Sequence, residues 1–481
     1  VRDARPPRRD PAAPRERVRT ADRPSAPSSV APRDARPPRR DPAAPRERLR
    51  TATRPSAPSS VAPRERRALT MQRGGRIDRG GAPGAADICA RALEVGAGDE
   101  ASQQYTHPLH TYPARMHPAT ARVLIEALAH DAPRDAAVVD PFCGAGTTLV
   151  EARARGLRAV GIDLSPLAVL LARAKTWSVP QRRRFEVRDL GRQIAAATLD
   201  AAKAARRKGA PAPAHRRPSG FDPKARDARL ARWYAPHVRR ELEALGGALD
   251  ELREHDAEAA DLLTASLSSI LYKVSSRASD TDGSWVERHI ARGNPTRLFA
   301  DRVELWADGL TELAHTPGPP PLVTEGDARE LASLVAPRSA WAVITSPPYA
   351  GTYDYADQQR LRFDFLGLRH KRMDEAEVGS RRGFASDPRA AHARWRADLT
   401  AVLRGIATVL APGRPAALVI GDSMAAGRAI DAIAELQACA GDAVRLVGWA
   451  SQTRAKLGTD ELRAFAGRDK FEHVVLLEAA R

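Results

Sequence analysis

Two short stretches of this sequence carry residues whose types and order suit chemistry. The first, Thr345-Ser-Pro-Pro-Tyr349, sets a hydroxyl, two prolines and a phenol in a row. Proline fixes φ, so the Ser346 hydroxyl and the Pro347 carbonyl become held acceptors, Pro348 stiffens the turn further, and Tyr349 adds an aromatic face. Two acceptors aimed at the N–H bonds of a planar, conjugated amine favour a pyramidal nitrogen. Its lone pair can then attack an electrophilic carbon in line, a step that needs neither a metal ion nor a covalent intermediate.

The second stretch is Asp140-Pro-Phe-Cys-Gly-Ala-Gly-Thr-Thr148. Gly144 and Gly146 lack the side chains that would keep a ligand from the backbone amides, and a following helix would favour negative ligand groups at its start. Asp163 lies 17 residues beyond Gly146, at the end of the next apolar run, where a carboxylate can accept hydrogen bonds from ribose hydroxyls. Leu149 occupies the place of the third glycine of dinucleotide-binding loops, which argues against a pyrophosphate ligand. A lone Gly-X-Gly is weak evidence, and the longer string carries the weight.

Positioning these groups takes strands that end where each loop begins. Ala136–Asp140 reads as a short buried strand, Thr147–Arg155 as a helix, Arg158–Asp163 as a strand and Pro166–Lys175 as a helix, together a βαβ unit with its loops at the strands' carboxyl ends. Val123–Leu128 suits a helix before it. The same rhythm returns with Leu322–Asp327, Trp341–Thr345, Ala416–Ile420 and Glu472–Leu477, predicted as strands three, four, five and a late edge strand. Between them, residues 176–320 break the pattern with a Lys/Arg-rich, Pro-broken stretch at 181–226 and helical segments at Val238–Leu252 and Asp261–Val274. The chain therefore divides into a cofactor half at 95–175, a mostly helical insertion at 176–320 and a catalytic half at 321–481.

Ahead of the α/β pattern, Arg2–Pro32 recurs as Arg33–Pro63 with changes only at Val18/Leu49 and Asp22/Thr53. Arginine and proline dominate this repeat and apolar periodicity is absent, so residues 1–70 are expected to be disordered. The first methionine is Met71, which raises the expectation that the preceding residues are not translated. Of the formal charge of +18, residues 1–68 hold 19 Arg against 8 Asp and Glu, leaving +7 for the remainder. That modest excess suits a polyanion as well as it suits a solvated Arg-rich surface. Cys89, Cys143 and Cys439 have no metal-ligand or disulfide spacing, no metal is expected, and a soluble protein of the reducing cytoplasm fits, with no membrane span.

The string Asp140–Thr148 resembles the cofactor motif of the amino-group DNA methyltransferases, the S-adenosylmethionine-dependent enzymes that act on N4 of cytosine or N6 of adenine. The resemblance extends to His117-Pro-Ala-Thr-Ala-Arg-Val-Leu-Ile125, which matches the His-Pro segment leading into a helix. It implies a Rossmann-like class I methyltransferase sheet and S-adenosyl-L-methionine as cofactor. It implies too that His117, Asp140, Phe142, Gly144, Gly146 and Thr147 line the methionine side, that Asp163 binds ribose and that Asp327 sits by the adenine.

By the same resemblance Ser346, Pro347, Pro348 and Tyr349 form the catalytic loop. Ser at the first position is commoner among N4-cytosine enzymes, and a duplex target base would be flipped out to reach Tyr349. The expected partner is nucleic acid, DNA foremost, as in a restriction-modification pair. The insertion at 176–320 is the favoured recognition element, with Arg277, Arg288, Arg292 and Asn294–Arg297 as substrate contacts. Tyr353–Gln359 and His370–Arg372 could line the nucleic-acid cleft and Arg381-Arg382 could contact phosphate, or each could form a solvated face. Three other readings stay open: an RNA methyltransferase acting on guanine amino groups, a glutamine-amide protein methyltransferase, which Ser346 disfavours, and a cofactor-binding regulator without catalysis.

Overall fold

The computed structural model describes residues 75–94, 100–133, 136–208, 223–456 and 458–480, so the repeat expected to be disordered lies outside the described residues. Its centre is an eight-stranded sheet. The strands are β1 (Ile77–Gly81), β2 (Ala137–Asp140), β3 (Arg158–Asp163), β4 (Leu322–Glu325), β5 (Ala340–Thr345), β6 (Pro415–Gly421), β9 (Val444–Arg454) and β10 (Lys470–Ala479), with β7 (Ser423–Ala425) and β8 (Arg428–Ile430) forming a separate hairpin. Their order is β1-β9-β10-β6-β5-β2-β3-β4. Strands β4, β3, β2, β5 and β6 are parallel, and β10 runs antiparallel to both β6 and β9.

Alternation along these strands splits the core in two. Val138, Ala342, Ile344, Ala417, Val419, Val474 and Leu476 face one layer, where Cys89, Leu93, Leu124, Leu149 and Ala172 cover them. Val139, Val343, Ala416, Leu418, Ile420, Val475 and Leu477 face the other, against Leu331, Trp395, Leu399, Leu403, Ile406 and Leu436. Burial on both faces is why the parallel strands read as near-continuous apolar runs. The chain switches direction of sheet growth between β2 and β5, and open α/β sheets hold their ligands at the carboxyl ends of such a pair.

The segment after Lys175 is helical as expected, and more so. Gln181–Lys208 is one continuous helix because the prolines of that stretch all lie beyond it, and its buried Val187 and Ala195 with half-buried Leu190 and Ile194 make an apolar stripe. Gly191 lets the helix Asn294–Leu313 approach, since a Cβ there would lie 2.8 Å from Val303. The helices Pro236–His255 and Ala257–Leu271 complete the layer, whose core continues into Leu167, Leu171 and Ala174 of the helix Pro166–Lys175. Trp177 stacks on Trp306 at 5.7 Å, and Trp306 Nε1 donates to the Ala174 carbonyl at 2.9 Å. Among the described residues no helix is long and apolar enough to cross a membrane.

Two differences from the sequence reading concern the far side of the sheet. Glu472–Leu477, expected at an edge, is an interior strand, because β9 pairs along its outer side and β1 pairs with β9 in turn. Strand β9 escapes recognition because Gly448 and the run Ser451-Gln-Thr453 dilute its apolar alternation. That glycine is where the helix Pro83–Glu94 crosses: a Cβ on Gly448 would stand 2.7 Å from the Ala85 Cβ. The α/β pattern thus begins at Ile77, not near residue 95.

Candidate active site

The loop after β2 is shaped by its own backbone. Gly144 and Gly146 adopt φ of 49° and 81°, the left-handed region that side chains rarely enter, and a Cβ on Gly146 would also lie 3.1 Å from Ala172. Gly161 in β3 allows the loop to settle, since any Cβ there would meet Leu149 at 2.5 Å and the Cys143 sulfur at 3.0 Å. The N–H groups of Phe142 and Gly144 are then taken by two carboxylates. Asp140 Oδ1 accepts from Phe142 N at 3.1 Å, and Asp163 Oδ2 accepts from Gly144 N at 2.9 Å while its Oδ1 accepts from Ser165 N at 2.8 Å.

Asp140 also accepts the Thr345 hydroxyl at 2.6 Å, so the last residues of β2 and β5 are joined directly. Burial pushes the Asp140 carboxyl up to about 6, with the Thr345 and Phe142 donors pulling against it. Burial likewise raises Asp163 to about 6 against its two backbone donors. Both acids therefore sit poised near neutrality at the floor of one cavity. That cavity is lined by Asp140, Phe142, Gly144, Thr147, Asp163, Asp327, Ser346 and Pro348, together with Tyr112–Met116, Tyr355 and Glu377.

His117 is not among the lining residues; it is the N-cap of the helix Pro118–Leu128, its Nδ1 accepting from Ala119 N at 3.2 Å. The segment just before it, Tyr112–Met116, forms the wall. Asp327 reaches the cavity and also caps the short helical turn Ala328–Glu330, with Arg329 donating to both of its oxygens at 2.9 and 2.6 Å. Burial opposes its charge, yet the Arg329 bonds prevail and hold Asp327 below the usual carboxylate range.

The loop after β5 is anchored by Trp395. Trp395 Nε1 donates to the Pro348 carbonyl at 3.1 Å, Pro347 is buried, and Ser346 is half-buried on the cavity wall. The Tyr349 ring lies outside that lining, over Gly421 at the end of β6, where a Cβ would sit 2.7 Å from Tyr349 Cε2. Its hydroxyl donates to Glu472 Oε1 at 3.2 Å, and Arg454 pairs with Glu472 in turn. Burial and the Glu472 charge raise the phenol well above its ordinary value, so Tyr349 stays neutral.

The downstream basic residues are engaged within the chain. Asp354 accepts from Arg382 N at 2.9 Å and Arg381 Nε at 3.3 Å, and His370 Nδ1 lies 2.7 Å from Asp374. Glu377, which burial pushes up to about 7, takes the Tyr355 N–H and the Arg382 guanidinium. In the insertion, Arg288 braces its own loop by donating to the carbonyls of Arg277 at 2.9 Å and Ala278 at 2.8 Å, and Arg297 donates to the Arg292 carbonyl at 3.3 Å. Sequence reasoning missed Arg115, Glu377, Trp395, Gly421 and Glu472. Only Gly421 left a signal, a glycine closing an apolar strand, which often marks close approach by a neighbour.

A parallel sheet ordered β4-β3-β2-β5-β6 with an antiparallel β10 beyond it, and a glycine loop and a Ser-Pro-Pro-Tyr loop at the central switch point, define a Rossmann-like methyltransferase fold. The family described as DNA methylase matches residues 96–173. Over 99 residues the chain is 36% identical to the Type II methyltransferase M.MvaI of Kocuria varians, a match covering 20% of this chain and 22% of that protein. Over 72 residues it is 33% identical to the Type II methyltransferase M.MjaII of Methanocaldococcus jannaschii, covering 15% and 13%. The matches thus span less than a quarter of those relatives' own length. These matches support an amino-group DNA methyltransferase family over the matched segment, residues 96–173 for the family model. Among solved structures the chain is similar to TrmN from Thermus thermophilus, at 13% identity over 75% of this chain and 48% of that one with a TM-score of 0.27. It is similar also to the rRNA methyltransferase aviRa from Streptomyces viridochromogenes, at 13% identity over 81% and 94% with a TM-score of 0.31.

Proposed function

We propose that this chain transfers a methyl group from S-adenosyl-L-methionine to the exocyclic amino group of a base in DNA, N4 of cytosine in preference to N6 of adenine. The observation that carries the reading is the Thr345–Asp140 hydrogen bond at 2.6 Å, which fastens the strand leading to Ser346 to the strand leading to Gly144. Ser346 and Pro348 line the same cavity as Gly144 and Asp163. The residues present fit such a cofactor. Left-handed glycines leave the loop open to a ligand, Asp163 offers acceptors to ribose hydroxyls, and the acids of the cavity suit a cationic group.

When bound, the cofactor supplies a methyl group on a sulfonium. The chain's own residues do the rest. Ser346 Oγ and the Pro347 carbonyl accept the two N–H bonds of the target amine and so free its lone pair, while Trp395 holds the loop through the Pro348 carbonyl. Tyr349, seated on Gly421, presents its face to the flipped base. Ser346 in place of an aspartate is what tilts the reading towards cytosine.

The test is incubation of the full chain with methyl-labelled S-adenosylmethionine and, separately, DNA, RNA and protein, followed by nucleoside analysis. Label in N4-methylcytosine of DNA is the expected result. Label confined to RNA or to protein overturns the DNA assignment, and label in N6-methyladenine overturns the cytosine preference.

A further inference from the structure

A tryptophan left in water forgoes the burial of a large apolar surface, and Trp285 is 45% exposed. It stands on a hairpin of the insertion. Val286 N donates to the Ser276 carbonyl at 3.0 Å, Ala278 N donates to the Ser284 carbonyl at 3.0 Å, and Arg277 pairs across the hairpin with Trp285. The tip closes on its own polar groups: Ser279 Oγ accepts from Asp282 N at 2.9 Å, and Asp282 Oδ1 accepts from Ser284 N at 2.9 Å. Arg288 braces the hairpin against the turn before it, donating to the carbonyls of Lys273, Arg277 and Ala278. The indole is thus presented on a fixed backbone, and a partner that covers it has little ordering entropy to overcome.

The charge around the ring is positive. Ser276 N donates to the Trp233 carbonyl at 2.8 Å, which brings the end of the helix Pro223–Trp233 alongside and lays the Arg232 guanidinium over the indole, 4.7 Å from its centre. Gly283 makes room for Arg277, since a Cβ there would lie 2.9 Å from Arg277 Nη2. Arg288 and Arg297 donate to carbonyls, and among the described residues no carboxylate pairs with Arg232, Arg277, Arg288, Arg292 or Arg297. The acids of the same stretch are Asp280, taken by Arg362 at 3.2 Å, Asp282, which caps the tip, and Glu287, and the guanidiniums outnumber them.

The hairpin is fastened to the elements that wall the cavity. Arg362, fully buried, holds Asp280, donates to the Ser268 carbonyl at 3.3 Å and lies over the Tyr272 ring at 4.6 Å. The Tyr272 hydroxyl donates to the Gln358 carbonyl. Arg362 and Gln358 belong to the short helices Arg360–Leu366 and Tyr355–Gln358, and Tyr355 lines the same cavity as Ser346.

An aromatic ring fixed among guanidiniums that no carboxylate neutralises fits a polyanion that also offers flat faces. Methyl transfer at the Ser346 loop requires one base to leave the stack, and the faces of its neighbours are then uncovered. We infer that the hairpin Ser276–Val286 is a second contact to the DNA substrate, in which Trp285 stacks on an uncovered base face while Arg277, Arg292 and Arg297 meet phosphates beside it. The inference rests on the DNA reading above. It adds a residue that belongs to neither loop and makes Arg288 a brace for the surface instead of a contact.

Fluorescence anisotropy of the full chain with end-labelled DNA of mixed sequence tests this. The probes are a fully paired duplex and the same duplex carrying one abasic site, titrated across a series of salt concentrations. Wild type should bind the abasic duplex about fivefold to hundredfold more tightly, the range for one stacked base. Trp285→Ala should abolish that preference and leave the salt dependence unchanged, whereas Trp285→Phe should keep most of it. Arg292→Gln should keep the preference and lower the slope of log affinity against log salt by about one. A preference missing from the wild type or surviving in Trp285→Ala, or a slope unmoved in Arg292→Gln, overturns the inference and leaves the DNA reading standing. Self-association of the DNA-free chain that Trp285→Ala abolishes would assign the surface to a second copy and overturn it as well. A wild type that binds neither duplex at low salt, or binds RNA of the same sequence more tightly than both, sinks the DNA reading itself. Should Trp285→Ala fail to fold, Trp285→Leu, apolar but without a flat ring, decides by the same criterion.

Discussion

Thr345 donates its hydroxyl to Asp140 Oδ1 at 2.6 Å, and through that one bond the ends of two neighbouring parallel strands, 205 residues apart in sequence, share a proton donor and an acceptor. Neither residue has solvent to fall back on: Thr345 is fully buried and Asp140 nearly so. Removing the hydroxyl leaves a buried carboxylate short of a partner, which typically costs about 1–3 kcal/mol. Thr345→Val should lower unfolding stability by an amount in that range and raise the Asp140 carboxyl further. Chemical denaturation at neutral pH measures it, and a change within error of zero would mean that the bond contributes nothing to joining the two loops.

Asp163 accepts two backbone N–H groups, one from each loop it touches. Asp163→Ala should weaken S-adenosylmethionine binding by at least tenfold, since both the ribose acceptor and the tether on Gly144 disappear. Equilibrium titration checks it. Affinity equal to wild type would show that the loop holds its shape without the carboxylate and that ribose is bound elsewhere.

Tyr349 and Gly421 should behave as one unit. Tyr349→Ala is expected to reduce single-turnover methyl transfer by about a hundredfold or more while cofactor affinity stays near wild type, because base stacking is worth a few kcal/mol and the ring stands outside the cavity lining. Gly421→Ala puts a methyl 2.7 Å from the ring carbon and should lower transfer in the same direction, again with cofactor binding retained. Tyr349→Phe keeps the face and gives up the hydroxyl's contacts with Glu472 and Ser346, so its loss should be the smallest. Loss of cofactor binding in Tyr349→Ala would show the two loops to be misassigned.

The two raised carboxyls set a pH window. Asp140 and Asp163 move from an ordinary 3.8 up to about 6 in the folded chain, so between those values the folded state binds more protons than the unfolded state. Their contribution to stability is therefore greatest at low pH and is lost as pH rises through 6, the reverse of a salt-bridged aspartate. A cationic ligand favours the ionised pair, so S-adenosylmethionine affinity should climb from pH 5 to pH 7 and level off above. A profile flat across that interval in calorimetry would contradict a cationic ligand in the cavity that these acids line.

Much of the site was legible because its signals are local. Strands β2, β3 and β5 are short apolar runs that stop at Asp140, Asp163 and Thr345, and the loops that follow carry glycines and prolines whose backbone preferences do not depend on distant contacts. The late strand at Glu472–Leu477 was visible for the same reason, but its place was not. A strand's apolar pattern reports that both faces are covered and says nothing of which strands pair along its sides, so β9 and β1, diluted by Gly448 and by polar residues, turned an expected edge into an interior position.

By itself the sequence determined which residues belong to the two loops, and with them the resemblance to a family and its expected cofactor, since those depend on residue type and on spacing along the chain. Tertiary structure alone decided what surrounds them: Thr345 bonded to Asp140, Gly421 under the Tyr349 ring, Trp395 on the Pro348 carbonyl, Arg115 among four acids, and His117 set as a helix cap behind the wall. These partners lie tens to hundreds of residues apart. Only the pairing of strands brings them within reach, and no local preference of the chain records which ones will meet.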